Sequence, residues 1–539
     1  MNIRLALLLS GASAAILAGC ATATPQAAPQ PPAAGATAAF NVRDFGATGD
    51  GRTKDTAAIS RAISACAAAG GGTVHFPPGR YLTGSIELVS NLTLDIEAGA
   101  ELLYSPDPAD SPLVRSRWEG TNAWTHAPLL HADGKENIAI VGRGVINGQG
   151  ENWWWWSGKS KGRGHDATPE QARRAQEAGD AWKKLIDRIE AGEKPGASDF
   201  QPAVEHLRPA LVETYRCRHV LVDGVTITDS PFWLLHPLYT EDIVVHGVSF
   251  LSWGPNGDGI DVDSCRNVRI SDCFFRTGDD CIVIKSGRDA DGRRTAFPTE
   301  HVAVANCVMY EGHGAIVIGS EASGDIRDIA ATNIVAKGTD CGIRIKSNRG
   351  RGGVIENVVC DNFVIEDPVK QGIEITALYI HVPEEPVSER TPVFRNFAMS
   401  HLTIINAAEV ASIHGLPEKA LEDLRFTDIT ASGKTGFVCE YATGVALHAV
   451  RVDAKTGSAF DFGHVKGLVL DDVTTWTPQK AAPVIRLAQS DSVWLRESEA
   501  APGTERFLEV DGGTPSALRL TDNNLSAAAV PVFPAEPAP

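Results

Sequence analysis

The strongest constraint in this 539-residue chain is a repeat of short β-forming runs, spaced too closely to enclose a helix. Gly259-Ile260-Asp261-Val262, Cys281-Ile282-Val283-Ile284, Ala315-Ile316-Val317-Ile318 and Gly342-Ile343-Arg344-Ile345 align with one another. Taking Val262, Ile284, Ile318, Ile345 and Ile375 as equivalent gives steps of 22, 34, 27 and 30 residues. A second set keeps the same rhythm, with Val268-Arg269-Ile270-Ser271-Asp272-Cys273 matching Val302-Ala303-Val304-Ala305-Asn306-Cys307. Units of this length, holding two or three short strands and no helix, predict stacked coils of a parallel β-helix, an all-β solenoid. The Leu-x-x-Leu-x-Leu pattern of a leucine-rich repeat is absent.

The rhythm is clear from about residue 219 and fades towards residue 526, so residues 39–526 are read as one solenoid domain. Asp55 to Ala68 has helical spacing and sits where a short N-terminal helix would cap the open end of the stack. Gly70 to Gly79 then begins the first coil. Residues 151–207 break the pattern with Trp153-Trp154-Trp155-Trp156, a Gly/Lys-rich stretch and the helix-forming run from Pro169 to Glu193. This segment is read as a partly helical insertion, its tryptophans either stacking sugar rings or pinning the insertion to the solenoid. Ala/Pro-rich residues 527–539 are expected to be a disordered tail.

Met1 to Arg4 is a short basic start, and Leu5 to Leu17 is an apolar run too short to span a bilayer. Leu17-Ala18-Gly19-Cys20 resembles a bacterial lipoprotein box. Residues 1–19 are therefore expected to be a signal peptide, with Cys20 acylated and the protein anchored at the outer membrane through lipid alone. Residues 20–38 read as a flexible tether. The nine other cysteines are odd in number and lack zinc-site spacing, which argues for buried thiols. A net charge of −18 argues against nucleic acid as a partner. It also means that an acidic substrate needs a local cationic site. A monomer is expected.

Register carries the chemistry. Stacked coils lie about 4.8 Å apart, so Asp258, two residues before Ile260, and Asp280, two before Ile282, occupy equivalent sites on neighbouring coils. One coil further, His313 and Gly314 stand where Asp279 and Asp280 do, and the next coil brings Arg344 and Lys346 to the same patch. In Ile343-Arg344-Ile345-Lys346, period two turns the isoleucines inwards and both cations outwards. Asp279 and Asp280 are adjacent, so both reach one cleft only where the backbone bends, which Gly278 permits. Clustered carboxyls suit glycoside hydrolysis: one keeps a proton for the leaving oxygen while others activate water. The Arg and Lys can bind a substrate carboxylate.

At Asn256-Gly257-Asp258, Gly278-Asp279-Asp280, Gly312-His313-Gly314 and Arg344-Ile345-Lys346 the chain resembles glycoside hydrolase family 28, the polygalacturonase family, over residues of about 40–460. The resemblance implies a right-handed β-helix and metal-independent hydrolysis of α-1,4-linked galacturonan, the backbone of pectin, with inversion and no cofactor. It makes Asp279 the general acid and has Asp258 and Asp280 activate water, with His313 supporting the acid. Asn256, Arg344, Lys346 and Tyr379 are implied as substrate contacts. The family's usual Thr is replaced by Gly257, which is expected to alter a subsite rather than abolish the reaction.

Other readings use the same residues: hydrolysis of another pectic linkage (rhamnogalacturonan or xylogalacturonan), a Ca²⁺-dependent pectate lyase, or a non-catalytic glycan-binding solenoid. An insertion that walls off one end of the groove would favour exo-action on chain ends.

Overall fold

The computed structural model describes residues 38–157, 167–511 and 517–534. The expected signal peptide, Cys20 and all but the last residue of the expected tether lie outside the described residues. Among the described residues no helix is long and apolar enough to cross a membrane.

Three parallel sheets run the length of a right-handed β-helix. The sheet that carries the site contains Ile260–Asp263, Ile282–Lys285, Ile316–Ile318, Cys341–Lys346 and Gln371–Thr376. Its register pairs Val262 with Ile284, Ile284 with Ile318, Ile318 with Ile345, and Ile345 with Ile375, as the spacing predicts. These five side chains are at most 1% exposed and stack along the interior. Burying each contributes about 1.5–3 kcal/mol. Uneven steps between them are absorbed by the loops, because the hydrogen bonds between coils tolerate no slip: a one-residue shift would turn the isoleucines out.

Asparagines hold the corners. Asn333 donates to Asn306 Oδ1 at 3.0 Å, and Asn362 to Asn333 Oδ1 at 2.8 Å. Asn306 and Asn333 have φ of 57° and 56°, a left-handed conformation that asparagine tolerates better than most side chains. Asn267 likewise donates to Asp242 at 2.9 Å.

The helix Thr56–Ala68 covers the N-terminal end of the stack with Ile59, Ile63 and Cys66. At the other end the boundary expected at residue 526 moves: Val530–Pro534 forms a parallel strand on Arg506–Asp511. Val530 and Val532 provide its alternation, and Pro531 and Pro534 are tolerated because the last strand has a free edge. All nine described cysteines are buried free thiols.

The insertion contains the helix Pro169–Glu190, opened by a capping box between Thr168 and Gln171. Trp182, Leu185 and Ile189 pack with Trp118, Phe232 and Trp233. Trp118 belongs to an antiparallel hairpin, Leu113–Trp118 with Thr121–His126, which lies on the site-bearing sheet. The tryptophan run is an anchor. Trp153 stacks on Tyr104 at 5.4 Å between ring centroids and meets Trp156 edge-on at 5.0 Å, while Trp154 Nε1 donates to the Ser230 carbonyl at 2.9 Å. Trp153→Ala should cost about 3–5 kcal/mol. Thermal unfolding should show a lowered midpoint, and limited proteolysis should cut first within residues 151–207.

Candidate active site

The strand register brings the sequence-derived residues together. One carboxylate oxygen from each of Asp258, Asp279 and Asp280 lies within 4.8 Å of the other two. Gly259 N donates to the Asp280 carbonyl at 3.0 Å, so the ladder between coils itself sets the Asp258 to Asp280 separation. Asp258 and Asp280 are 4% and 2% exposed, whereas the Asp279 side chain is 20% exposed and faces the groove.

Gly278 serves differently from expectation. Its φ is not left-handed; a Cβ there would meet the Gly254 carbonyl oxygen at 2.7 Å and the Trp253 backbone at 2.9 Å. Close approach of the Trp253-Gly254 loop therefore demands glycine. Gly257 is constrained similarly, with the Gly254 oxygen 2.9 Å and Ser252 Oγ 3.0 Å from a Cβ position. The family's usual Thr would not fit without moving that loop. At Gly314 a Cβ would collide with Val317 Cγ2 and stand 3.4 Å from Asp280 Oδ1, so glycine there both fits the packing and leaves space beside that oxygen.

His313 Nδ1 lies 2.8 Å from Asp279 Oδ1. That bond raises the imidazole's pKa against the opposing effect of burial. Burial would raise Asp279, but the bond to His313, the imidazole charge and Lys346 outweigh it and hold Asp279 below the usual carboxylate range. Asp258 goes the other way: burial, reinforced by Asp261 and Asp279, pushes it well above that range. At this separation the like charges titrate as one unit, and a proton stays in the cluster after an isolated carboxyl would have lost it.

Lys346 Nζ donates to Asp280 Oδ2 at 2.9 Å. Arg344 Nε donates to Glu374 at 2.5 Å, a partner the sequence reading missed. Tyr379 joins them, with its ring centre 5.4 Å from the Arg344 guanidinium carbon and 5.1 Å from Lys346 Nζ. Asn256 is drawn into the scaffold: its Oδ1 accepts from Arg208 at 2.8 Å, leaving its NH₂ for a ligand. Buried Arg208 also donates to the Pro231 and Pro255 carbonyls, both at 2.7 Å.

Behind the aspartates lies a buried charge network. Lys285 Nζ is 3.1 Å from Glu321, 3.5 Å from Asp261 and 4.8 Å from the Trp233 ring centre. Arg117, from the hairpin, donates to Asp263 at 2.5 Å. His236 lies 2.8 Å from Glu213; against burial, its bonds to Asp263 and Glu213 raise its pKa to about 9. Asp261 follows from strand alternation, standing between the core residues Ile260 and Val262, and Lys285 follows the core residue Ile284 on the same face as Asp261. Arg117 left no such signal, being 146 residues from its partner and outside the repeat. Glu213, His236, Asp261 and Asp263 point outwards from the sheet yet are at most 2% exposed. The hairpin and the insertion thus close the groove on the N-terminal side of the aspartates.

The sequence profile described as "Glycosyl hydrolases family 28" matches residues 197–478, and one described as "Rhamnogalacturonase A/epimerase, pectate lyase-like" matches residues 39–95. A protein of Vitis vinifera named "Probable polygalacturonase" is 28% identical over 400 residues, covering 72% of this chain and 73% of its own. The "Exo-poly-alpha-D-galacturonosidase" of Dickeya chrysanthemi is 30% identical over 63% of this chain and 57% of its own. The crystal structure of a hyperthermoactive exopolygalacturonase from Thermotoga maritima superposes with a TM-score of 0.70 at 34% identity, over 77% of this chain and 92% of that one. The chain belongs to glycosyl hydrolases family 28 and is a glycoside hydrolase.

Proposed function

We propose that this enzyme hydrolyses α-1,4-linked galacturonan from chain ends, and the observation that carries the reading is the adjacency of Arg344, Lys346 and Tyr379 to three clustered carboxyls. In a protein of net charge −18, a uronate needs local cations, and a guanidinium beside an ammonium provides them. The groove closed by the hairpin and insertion supports exo-action, as do the names of the Dickeya and Thermotoga proteins.

Asp279, the exposed member, takes the proton that the cluster otherwise keeps on Asp258 and passes it to the glycosidic oxygen as the C–O bond breaks, which leaves Asp258 ionised beside Asp280. Asp258 and Asp280 orient a water and take its proton as it attacks the anomeric carbon. Lys346 holds Asp280 Oδ2 in place, and Asp280 Oδ1 has no hydrogen bond from the described residues. Two carboxyls of an inverting enzyme usually stand about 6.5–9.5 Å apart, and of a retaining one about 5–5.5 Å. The separation here lies nearer the retaining value. Inversion is proposed on the family pattern and on the presence of two carboxyls to share the water. NMR of the first-formed anomer decides it, and retention would make Asp258 or Asp280 a nucleophile. Outer-membrane anchoring through Cys20 belongs to the same proposal, supported by the Leu17-Ala18-Gly19-Cys20 sequence. Cys20→Ala should move the protein from the membrane to the soluble fraction.

Wild-type enzyme should release monogalacturonate with saturated ends from polygalacturonate, with little loss of viscosity and no need for Ca²⁺; unsaturated products would replace the reading with a lyase. Asp279→Asn should lower kcat about 10²–10⁴-fold while the folded circular-dichroism spectrum remains. The alkaline limb of the pH–rate profile marks loss of the cluster's proton. Because the His313 imidazolium lowers Asp279, His313→Gln should reduce the rate and move that limb to higher pH. A limb that stays in place would separate His313 from the acid.

A further inference from the structure

Beyond Lys346 the site-bearing sheet changes sign. The strand face that presents Arg344 carries, in the coils that follow, Glu374, Ser412, Val438, Asp461, Arg486 and Glu509 in register. The line through Lys346 continues to Thr376, His414, Glu440, Gly463, Ala488 and Asp511. Glu409 faces out beside them, paired in register with Gln371. Six acids therefore share this outer face with one arginine and one histidine.

Arg344 holds Glu374 and Arg506 holds Glu509, so the excess negative charge rests on Glu409, Glu440 and the Asp461–Asp511 pair. Arg486 is divided between Asp461 at 3.2 Å and Asp511 at 2.8 Å. His414 lies 3.4 Å from Glu440, and Glu409 has the neutral Gln371 amide at 3.3 Å. Burial holds Asp461 above the usual carboxylate range against the pull of Arg486, and Glu440 and Asp511 add to the rise. At the turn feeding these strands Lys370 is held by Asp340 at 2.8 Å. Lys434 and, one coil further, Lys455 lie on the same edge, where the backbone N–H of Lys455 donates to the Gly433 carbonyl at 3.1 Å. The loops before and after the strand Val393–His414 add Glu384, Glu385 and Glu418, with Arg349 on Glu418 and Arg390 on Glu385.

A polyuronate leaving the aspartates cannot run towards the N-terminus, where the hairpin and insertion fill the groove. In the open direction each coil step of about 4.8 Å brings its carboxylates nearer to carboxylates of the protein. Charges at that range lie within a Debye length of about 8–10 Å and repel. Favourable contact is confined to the coils from Asp258 to Lys346, roughly 15 Å along the axis.

We infer that this enzyme is selective for short oligouronates and discriminates against the long polymer through the acidic face carrying Glu409, Glu440 and Asp461. The inference rests on the galacturonan reading above. It also places the reaction after an endo-cleaving depolymerase, the class of enzyme that must supply short uronate chains, with free monouronate as the product passed on.

The test is kcat/KM per chain end for di-, tri- and hexagalacturonate and for polygalacturonate, using the full chain at low ionic strength and again at about 0.2 M salt. Di- or trigalacturonate should be the preferred substrate, with hexamer and polymer about five- to tenfold poorer and the gap narrowing in salt. The combined Glu409→Gln, Glu440→Gln and Asp461→Asn variant should raise the hexamer value several-fold and leave digalacturonate unchanged. Should that variant fail to fold, Glu440→Gln alone, at a half-exposed side chain, should give a smaller rise in the same direction. Values per end that are flat or increase with length, or variants that leave the hexamer rate as it was, would overturn the inference. Absence of hydrolysis of every oligomer would instead overturn the galacturonan reading itself.

Discussion

Hydrogen bonds between successive coils run along the solenoid axis, and their spacing is the dimension on which the site depends. Two residues at equivalent positions are held one strand separation apart whatever the chain does between them. Asp258 and Asp280 are 22 residues apart in sequence and adjacent in space for this reason alone. The same backbone ladder that keeps the isoleucine stack dry forces their carboxyls together, and Asp258 would ionise more readily in solitude. Folding energy spread over the interior stack thus maintains an electrostatic strain at one edge, and that strain keeps a proton available to the acid.

The cations temper this strain without removing it. Lys346 engages one oxygen of Asp280, His313 one oxygen of Asp279, and Asp258 is left with burial and like charge as its main influences. Three carboxyls that are chemically identical therefore differ because their neighbours differ. Glu374 performs a comparable service for Arg344, fixing the guanidinium where a flexible side chain would otherwise sample the groove.

Much of this was legible in the sequence because a solenoid converts spacing into position. The steps between Val262 and Ile375 gave the register, and the register assembled the aspartates, His313, Arg344 and Lys346. What escaped lies outside the repeat. The hairpin Leu113–Trp118 with Thr121–His126 returns over coils more than a hundred residues later, and nothing in its local pattern announces that Arg117 meets Asp263. Gly278 was assigned to the right place for the wrong reason, because close contact between two loops has no periodic signature. The last strand was hidden by its prolines, which ordinarily argue against sheet and are permitted at a free edge.

Arg208 directly follows the insertion and, wholly buried, grips both the loop before Asp258 and the Asn256 side chain. The wall of the groove and the catalytic loop are consequently parts of one clamp rather than separable modules. Lengthening or trimming such an insertion during divergence would have to be accompanied by changes at the Pro231 and Pro255 carbonyls, or leave a guanidinium without partners in the interior. Removing the insertion would therefore disturb the loop that carries Asp258 as well as the wall of the groove.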